Sequence, residues 1–351
     1  MRIFSWIQLL ALVLLTALAI IACQSQAEYS IVDSASPLSS TTNDCQTIEH
    51  IRGKVQVCGQ PQRIVVLGSS VMESLLALDV QPVAYADYMM SPTGNYDLPS
   101  QQIPYFGNRI TGQLVNLGLT HAPALETILK VQPDLILGTE YNASQYDTLS
   151  QIAPTLLLKW TEAQENLKTI AQVLGKSEEA EQLLTERAQQ VAAARETFAS
   201  VVKTNPKVLL LYSGNLQEIY FGNRFFGLCA SLVRDLGFEL ISLPGFDEFN
   251  RDARASISIE TLPQLNDADL VIMFGSNFSQ SEHFNSTNDF EDHQLLNLKQ
   301  AWQKNAIAQS LNASKSGRVY FIPYYLCAGL PGPIGTEIYL NELRQQLLSP
   351  S

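Results

Sequence analysis

Apolar residues fall along this chain in two rhythms. Continuous β-branched and leucine-rich runs such as IVVLG (64–68) and VLLLYSG (208–214), each led in by a proline and closed by a glycine, read as buried strands of parallel sheets. Elsewhere the apolar positions recur every three or four residues, the spacing of a helix with one buried face. After the first strand the pattern predicts a helix over 71–78, a strand over 82–86, a long loop, a helix through Glu126, a strand at 135–137, a helix at 146–152 and a strand at 155–158. The second half follows a similar order: strand 208–212, helix 226–236 closed by Gly237, strand 239–243, a helix through Glu260, strand 270–274, helix 294–310, strand 318–322 and a last helix near 335–348. Strands alternating with helices imply two α/β units of open, mainly parallel sheet.

Between the two units lies SEEAEQLLTERAQQVAAARETFASVVK (177–203), free of Gly and Pro. Acids crowd its first turns, and Ala180, Leu184, Ala188, Val191, Ala194, Phe198 and Val201 recur at helical spacing. At 1.5 Å per residue such a helix runs about 40 Å, long enough to bridge two lobes as a rod.

One phrase occurs twice. ALETILKVQPDLIL (124–137) is echoed by SIETLPQLNDADLVIM (258–273): an aliphatic residue before Glu-Thr, an amphipathic run, then an Asp (Asp134, Asp269) opening an apolar strand. Each glutamate falls in a first helical turn, where a carboxylate complements the helix dipole, and Ser258 is placed to cap the second helix. Dipole compensation accounts for one glutamate but gives no reason to keep two at corresponding places. A pair, one per lobe, suits a partner with approximate two-fold symmetry.

The first residues stand apart. Arg2 is the only charge before Glu28, and 9–22 is an apolar segment of signal-peptide length ending in Ile20-Ile21-Ala22-Cys23. That ending resembles the lipobox of bacterial lipoproteins, in which the Cys is lipidated and becomes the new N-terminus; an uncleaved anchor helix is the alternative. Residues 24–43, rich in Ser, Thr and Ala, read as a flexible tether with a reach of roughly 25 Å. The division expected is 1–22 leader, 23–43 tether, 44–175 first lobe, 176–204 connecting helix and 205–351 second lobe.

Charge and motif content narrow the chemistry. The net charge of −12 and the lack of basic clusters argue against nucleic acid and against adhesion to anionic lipid. No nucleophile elbow, phosphate-binding loop or dinucleotide fingerprint follows a strand. His283 and His293 bracket Asp289, Glu291 and Asp292 and could offer Zn²⁺ or Mn²⁺ ligands, although 276–288 reads as a solvated polar loop. Cys45 and Cys58 flank two alternating runs around a turn near Arg52-Gly53, which sets the two sulfurs opposite each other as a disulfide. Cys229 and Cys327 remain, either as a second disulfide or as two buried thiols.

The order of these features resembles a known family. Leu125, Glu126, Ile128, Pro133, Asp134, Leu135 and Ile136 match a pattern of the periplasmic binding proteins of iron–siderophore and cobalamin ABC importers, and Ile259-Glu260-Thr261-Leu262 matches its second-lobe echo. Pro61-Gln62-Arg63-Ile64-Val65, Gly317-Arg318-Val319-Tyr320 and Gly332-Pro333-Ile334 fall where that family places them, and the Cys-flanked hairpin is similar to a cyanobacterial subgroup. The resemblance implies two Rossmann-like lobes joined by one long rigid helix, ligand held between them, no catalysis and no cofactor. It also implies that Glu126 and Glu260 engage arginines of a permease dimer served by a cytoplasmic ATPase. The protein is then expected to be a monomer, lipid-anchored through Cys23 on the periplasmic face of the cell membrane, with an Fe(III)–siderophore complex as cargo. Cobalamin, haem and free Zn²⁺ or Mn²⁺ are alternative cargoes, and a membrane-tethered α/β hydrolase is the alternative from another class. Where the family often has Trp after the last strand, this chain has Tyr324-Tyr325-Leu326-Cys327.

Small molecules in open α/β sheets sit beyond the carboxyl ends of the strands. That rule makes Tyr88, Arg109, Tyr141, Trp160, Tyr220, Arg224, Arg251, Arg254, Tyr324 and Tyr325 the candidate ligand contacts. Arginine beside aromatic residues suits an oxygen-rich ferric chelate, because guanidinium donates hydrogen bonds while rings cover the apolar part of the ligand. Arg109 and Arg224 lie in matching Gly-Asn-Arg triplets, one in each half.

Overall fold

A computed structural model describes residues 45–88, 94–222, 226–243, 256–277, 284 and 286–348. The leader, the tether, Cys23, Arg224, Arg251, Arg254 and His283 lie outside the described residues.

The chain enters as an antiparallel hairpin, β1 (Cys45–His50) and β2 (Gly53–Cys58), with Cys45 opposite Cys58 and a disulfide between them. The first sheet comprises β3 (Ile64–Leu67), β4 (Ala84–Asp87), β5 (Val115–Leu119), β6 (Leu135–Thr139) and β7 (Thr155–Leu158), all parallel in the order β5-β4-β3-β6-β7. Central β3 is buried at every position, as expected of a strand covered on both faces. The hairpin lies along the open edge of β7: Ile51 N–H donates to Leu157 O (3.1 Å) and His50 Nδ1 accepts Leu157 N–H (3.3 Å). Backbone groups that would otherwise be an unpaired edge are thereby satisfied.

The second sheet comprises β8 (Lys207–Ser213), β9 (Ile219–Phe221), β10 (Glu239–Leu240), β11 (Ser256–Ile257), β12 (Leu270–Gly275) and β13 (Val319–Pro323). Its main path is β11-β9-β8-β12-β13, with β10 on β8; β8, β10, β12 and β13 run parallel, and at one end β9 pairs antiparallel with β8 and β11 antiparallel with β9. The helices that position the site are α1 (Ser69–Ala77), α2 (Leu125–Lys130), α3 (Ala163–Leu174), α4 (Ser177–Thr204), α5 (Gly227–Asp235), α6 (Thr287–Lys304), α7 (Tyr324–Ala328) and α8 (Pro333–Leu348).

Several expected elements differ in form. The helix expected at 294–310 begins earlier, because Ser286 accepts the Asp289 N–H, and it ends at Lys304 where Asn305 turns extended and caps a new helix at Ala306–Ser310. Glu260 sits in a 3₁₀ segment, Ile259–Leu265, that contains Pro263, and the Ser258 side chain makes no capping bond. The region read as a long loop contains β5, and α3 follows β7 where no helix was expected.

The repeated Asp has the same duty in both lobes. Asp134, ahead of β6, accepts the backbone N–H groups of Gln62 (2.7 Å) and Arg63 (2.8 Å) at the entry to β3. Asp269, ahead of β12, accepts Lys207 N–H (2.9 Å) at the start of β8. Each carboxylate fastens the beginning of its lobe's central strand to a parallel neighbour.

One long helix joins the lobes, as expected, and a second helix packs against both cores beside it. The 28-residue α4 places Ala180 in the core under the first sheet and Val191, Ala194 and Phe198 in the core of the second. Packed along it, α8 gives Ile334 to the first core and Tyr339, Leu340, Leu343 and Leu347 to the second. The junction is closed by Glu73 of α1, which is fully buried. Its two oxygens accept the N–H groups of Gly332 (2.7 Å) and Gly335 (2.6 Å) at the start of α8. Beside it Arg187 Nε of α4 donates to Thr336 Oγ1 (2.9 Å).

Burial pushes the Glu73 carboxyl from its ordinary 4.5 up to about 7, against the pull of the Gly335 and Gly332 N–H groups and of Arg187. An acid whose pKa is raised by folding binds more protons folded than unfolded, so its contribution to stability is full below about pH 4.5 and declines as pH rises towards 7. In urea denaturation from about pH 5 to about pH 8, the unfolding free energy of the native chain should fall relative to that of Glu73→Gln by roughly 3 kcal/mol. A pH-independent difference between the two chains would show that Glu73 is not held in this way.

Candidate functional site

The carboxyl ends of both sheets carry aromatic side chains. In the first lobe Tyr88 follows β4 and Tyr141 follows β6; both rings are exposed, at 42 % and 40 %, with centroids 5.5 Å apart. Tyr141 is held in place by its neighbour Asn142, whose buried side chain accepts Thr139 N–H (3.2 Å) and donates to Thr120 O (2.7 Å). That turn requires glycine at 138, because a Cβ there would lie 2.8 Å from Asn142 Oδ1. Glu140 is fixed by its acceptance of Trp160 N–H (2.8 Å).

The second lobe presents a cluster of four half-buried rings. Tyr324, at the start of α7, lies 4.4 Å from Tyr212 and stacks on Phe226 at 5.2 Å, and Tyr220 lies 5.7 Å from Tyr212, its partner across the β8–β9 pair. Ser276, after β12, donates from Oγ to the Tyr212 hydroxyl (2.8 Å).

Beneath these two groups of rings, one segment of the second lobe docks into the first. Tyr325 is buried, at 2 % exposure, and its hydroxyl donates to Asp87 Oδ2 (3.0 Å), which also receives Tyr85 OH (2.5 Å). Burial and the Asp87 charge hold the Tyr85 and Tyr325 phenols far above their ordinary pKa, so both stay protonated as donors. Three residues on, Ala328 O accepts the indole N–H of Trp160 (3.0 Å), and the Glu73 bonds follow. The same segment is fastened to its own lobe by the Cys229–Cys327 disulfide, which links α7 to α5.

The candidates named from sequence therefore divide. Tyr88 and Tyr141 are brought together, as are Tyr220 and Tyr324. Tyr325 and Trp160 direct their polar atoms at Asp87 and at Ala328 O, under the rings. Arg109 lies elsewhere: its carbonyl accepts from Gln81, which precedes β4 and so marks the amino-terminal ends of the strands, and its guanidinium faces Glu337 at 3.9 Å with both side chains about half exposed. Its described contacts are with Gln81 and Glu337 and not with the rings, so it is left out of the ligand set. Sequence reading missed Asp87, Glu73, Tyr212 and Phe226. The available signals were a carboxylate closing an apolar strand (Asp87) and a lone acid inside an otherwise uncharged helix (Glu73).

Glu126 and Glu260 are exposed at corresponding places in the two lobes, and among the described residues neither forms an ion pair. A hydrogen bond from its own backbone N–H, then one from the Ser258 hydroxyl, holds the Glu260 carboxyl below its ordinary pKa. His293 contacts Asn277 Nδ2 at 3.2 Å and packs against the Phe284 ring, and among the described residues no group of three or more His, Cys, Asp or Glu side chains is disposed to hold a metal ion.

Comparison with known proteins agrees with this architecture. Residues 64–326 match the periplasmic binding protein family. The chain is 26% identical over 357 residues to the probable siderophore-binding lipoprotein YfiY of Bacillus subtilis, covering 97% of this chain and 98% of that one. It is 27% identical over 311 residues to the putative ABC transporter substrate-binding lipoprotein YhfQ of the same organism, covering 86% and 88%. Its fold resembles that of Staphylococcus aureus SirA complexed with staphyloferrin B, with a TM-score of 0.67 and 23% identity over 86% of this chain and 98% of that one. Two α/β lobes with rings at their carboxyl ends, and a match over most of the folded chain, lead to one assignment: this chain belongs to the periplasmic binding protein family.

Proposed function

We propose that the protein is the substrate-binding component of an ABC importer and captures a ferric siderophore between the Tyr88–Tyr141 pair of one lobe and the Tyr212–Tyr220–Phe226–Tyr324 cluster of the other. The observation that carries this reading is the convergence of six rings on the carboxyl ends of two sheets. It is supported by membership of a family of binding proteins and by the likeness to a relative named as siderophore-binding. Rings cover the apolar arms of a chelate, and Arg224, Arg251 and Arg254 supply guanidinium donors to its oxygens. The protein acts outside the cytoplasm as a monomer, held to the membrane by lipid on Cys23 and by the 23–43 tether, with 44–175 and 205–351 as lobes about the 176–204 helix.

Glu126 and Glu260 dock the loaded protein on a permease dimer powered by a cytoplasmic ATPase. The two halves of the repeated phrase have separate reasons: Asp134 and Asp269 secure strands, whereas Glu126 and Glu260 secure nothing comparable within the fold. Exposed carboxylates at matched places can pair bidentately with arginines, which orients as well as attracts.

Titration of intrinsic fluorescence with ferric citrate, ferrioxamine B and a ferric tris-catecholate tests the cargo. At least one should quench saturably, and Tyr88→Ala, Tyr324→Ala and Arg224→Ala should each weaken it by more than about tenfold. Quenching by none of the three would refute a siderophore cargo. For docking, Glu126→Ala/Glu260→Ala should leave the ligand Kd unaltered and abolish uptake in cells, since truncating one side of a desolvated charge pair costs about 2–5 kcal/mol. Normal uptake in that double variant would leave the glutamates as helix-end residues only. For the anchor, Cys23→Ser should release the protein from the membrane fraction; a mature N-terminus elsewhere by mass spectrometry would exclude lipidation at Cys23.

A further inference from the structure

The segment 324–336 carries a consequence for selectivity. Along a few residues it alternates between the cleft and its floor: Tyr324 joins the second-lobe rings, Tyr325 reaches down to Asp87, Cys327 is bonded to α5, Ala328 O takes the Trp160 indole, and Gly332 and Gly335 meet Glu73. On the opposite side Asp87 immediately precedes Tyr88, and the backbone N–H of Trp160 is held by Glu140, which immediately precedes Tyr141. The Tyr325–Asp87 bond thus lies one residue from a cleft ring on either side, and the Trp160–Ala328 bond reaches Tyr141 through Glu140. The two aromatic groups are linked, lobe to lobe, through Tyr88–Asp87···Tyr325–Tyr324 and through Tyr141–Glu140···Trp160···Ala328.

We propose that this segment is a gauge for the cleft: Tyr325 acting through Asp87, and Trp160 acting through the Ala328 carbonyl, are positioning residues that set the gap between the two aromatic groups and so select ligands by size. The proposal rests on the cargo reading above for the identity of the ligand, but not for the existence of the gauge. Each acts through its hydrogen bond: Tyr325 is buried and Trp160 half-buried beneath the rings. The covalent tie at Cys327 keeps α7 from yielding on the second-lobe side, so that the hydrogen bonds transmit the spacing. Among the described residues the hydroxyls of Tyr85 and Tyr325 donate to Asp87, with Tyr96 and Ser69 nearby. Loss of the Tyr325 hydroxyl therefore removes a tie without removing a ring.

The test has two arms in the full chain. In the first, Kd values for ferric citrate, ferrioxamine B and a ferric tris-catecholate are compared between the native protein, Tyr325→Phe and Trp160→Phe. A gauge requires the ratio of Kd for the smallest to the largest bound chelate to change by more than about fivefold, with the wider gap penalising the smaller ligand. Asp87→Asn, which keeps an oxygen acceptor for both phenols, should hold the native ratio. An unchanged ratio, or one common factor for every chelate, overturns the proposal. The second arm needs no ligand: spin labels are placed by non-cysteine chemistry at the exposed positions 130 and 315, one in each lobe, and pulsed dipolar spectroscopy reads the distance distribution. Tyr325→Phe should broaden or lengthen it, and an unaltered distribution overturns the gauge. Should the native protein bind none of the three chelates, the cargo reading fails alone, and the distance distribution still decides for or against the gauge.

Discussion

The geometry of this protein depends on Glu73. A helix begins with backbone N–H groups that have no partner within it, and at the start of α8 those of Gly332 and Gly335 are received by one buried carboxylate from the other lobe. Pro333, between them, has no N–H to satisfy, and its fixed φ suits a first helical position. The approach is close enough to dictate residue type: a Cβ on residue 332 would lie 3.1 Å from three carboxylate atoms, and one on residue 335 would lie 1.7 Å from Leu330 O. Gly332 is thus a consequence of a carboxylate far away in sequence, and Gly335 of the tight turn from Leu330 that brings its N–H to the same group. Once α8 is seated there, the chain before it has little choice. It passes under the cleft, where Tyr325 and Ala328 find Asp87 and Trp160.

The internal echo shows how a duplicated pattern can hold two unrelated constraints. Asp134 and Asp269 are kept by folding, because each fastens the entry of a central strand through backbone N–H groups that are not satisfied by the sheet ladder. The glutamates eight or nine positions earlier have no such work, and their surroundings are not alike: Glu126 sits in an α-helix and Glu260 in a 3₁₀ segment interrupted by Pro263. The local structure differs between the lobes, while an exposed carboxylate is common to both. A requirement imposed from outside the fold accounts for that better than one imposed from within.

How much of this was legible in the sequence follows from the range of the interactions. The strands and the long helix were readable because their signals are local: β3 and β8 are runs of apolar residues, and 177–203 repeats at helical spacing without interruption. The Cys45–Cys58 hairpin was equally local. The break at Asn305 was hidden because the apolar spacing continues across it, and only the side-chain cap on Ala308 N–H ends one helix and starts the next. Of the site, the rings next to strand ends were found because topology alone places them. Arg109 was misplaced because its Gly-Asn-Arg triplet resembled that of 222–224, whereas Gln81 holds it at the other end of the sheet. Asp87 and Glu73 show in the sequence as isolated acids, but their roles were hidden for the opposite reason: the partners Tyr325, Gly332 and Gly335 lie in the last thirty or so residues of the chain, and no spacing rule connects them.

The second bridging helix alters what the cleft can do. Were α4 the sole contact between the lobes, they could rotate by bending one long helix whose middle is largely exposed. With α8 crossing beside it, the same rotation must pull Gly332 and Gly335 from Glu73 and Tyr325 from Asp87. Those groups are buried, and leaving one such donor or acceptor unpaired costs about 1–3 kcal/mol, more where a charge is involved. Apolar side chains of similar size could fill the same space with equal or better stability, but they would not fix a distance, since dispersion contacts tolerate sliding in a way that a bonded carboxylate does not. A polar floor therefore trades some stability for a cleft of defined width, and a defined width is what a protein needs if it must tell one bulky chelate from another by shape.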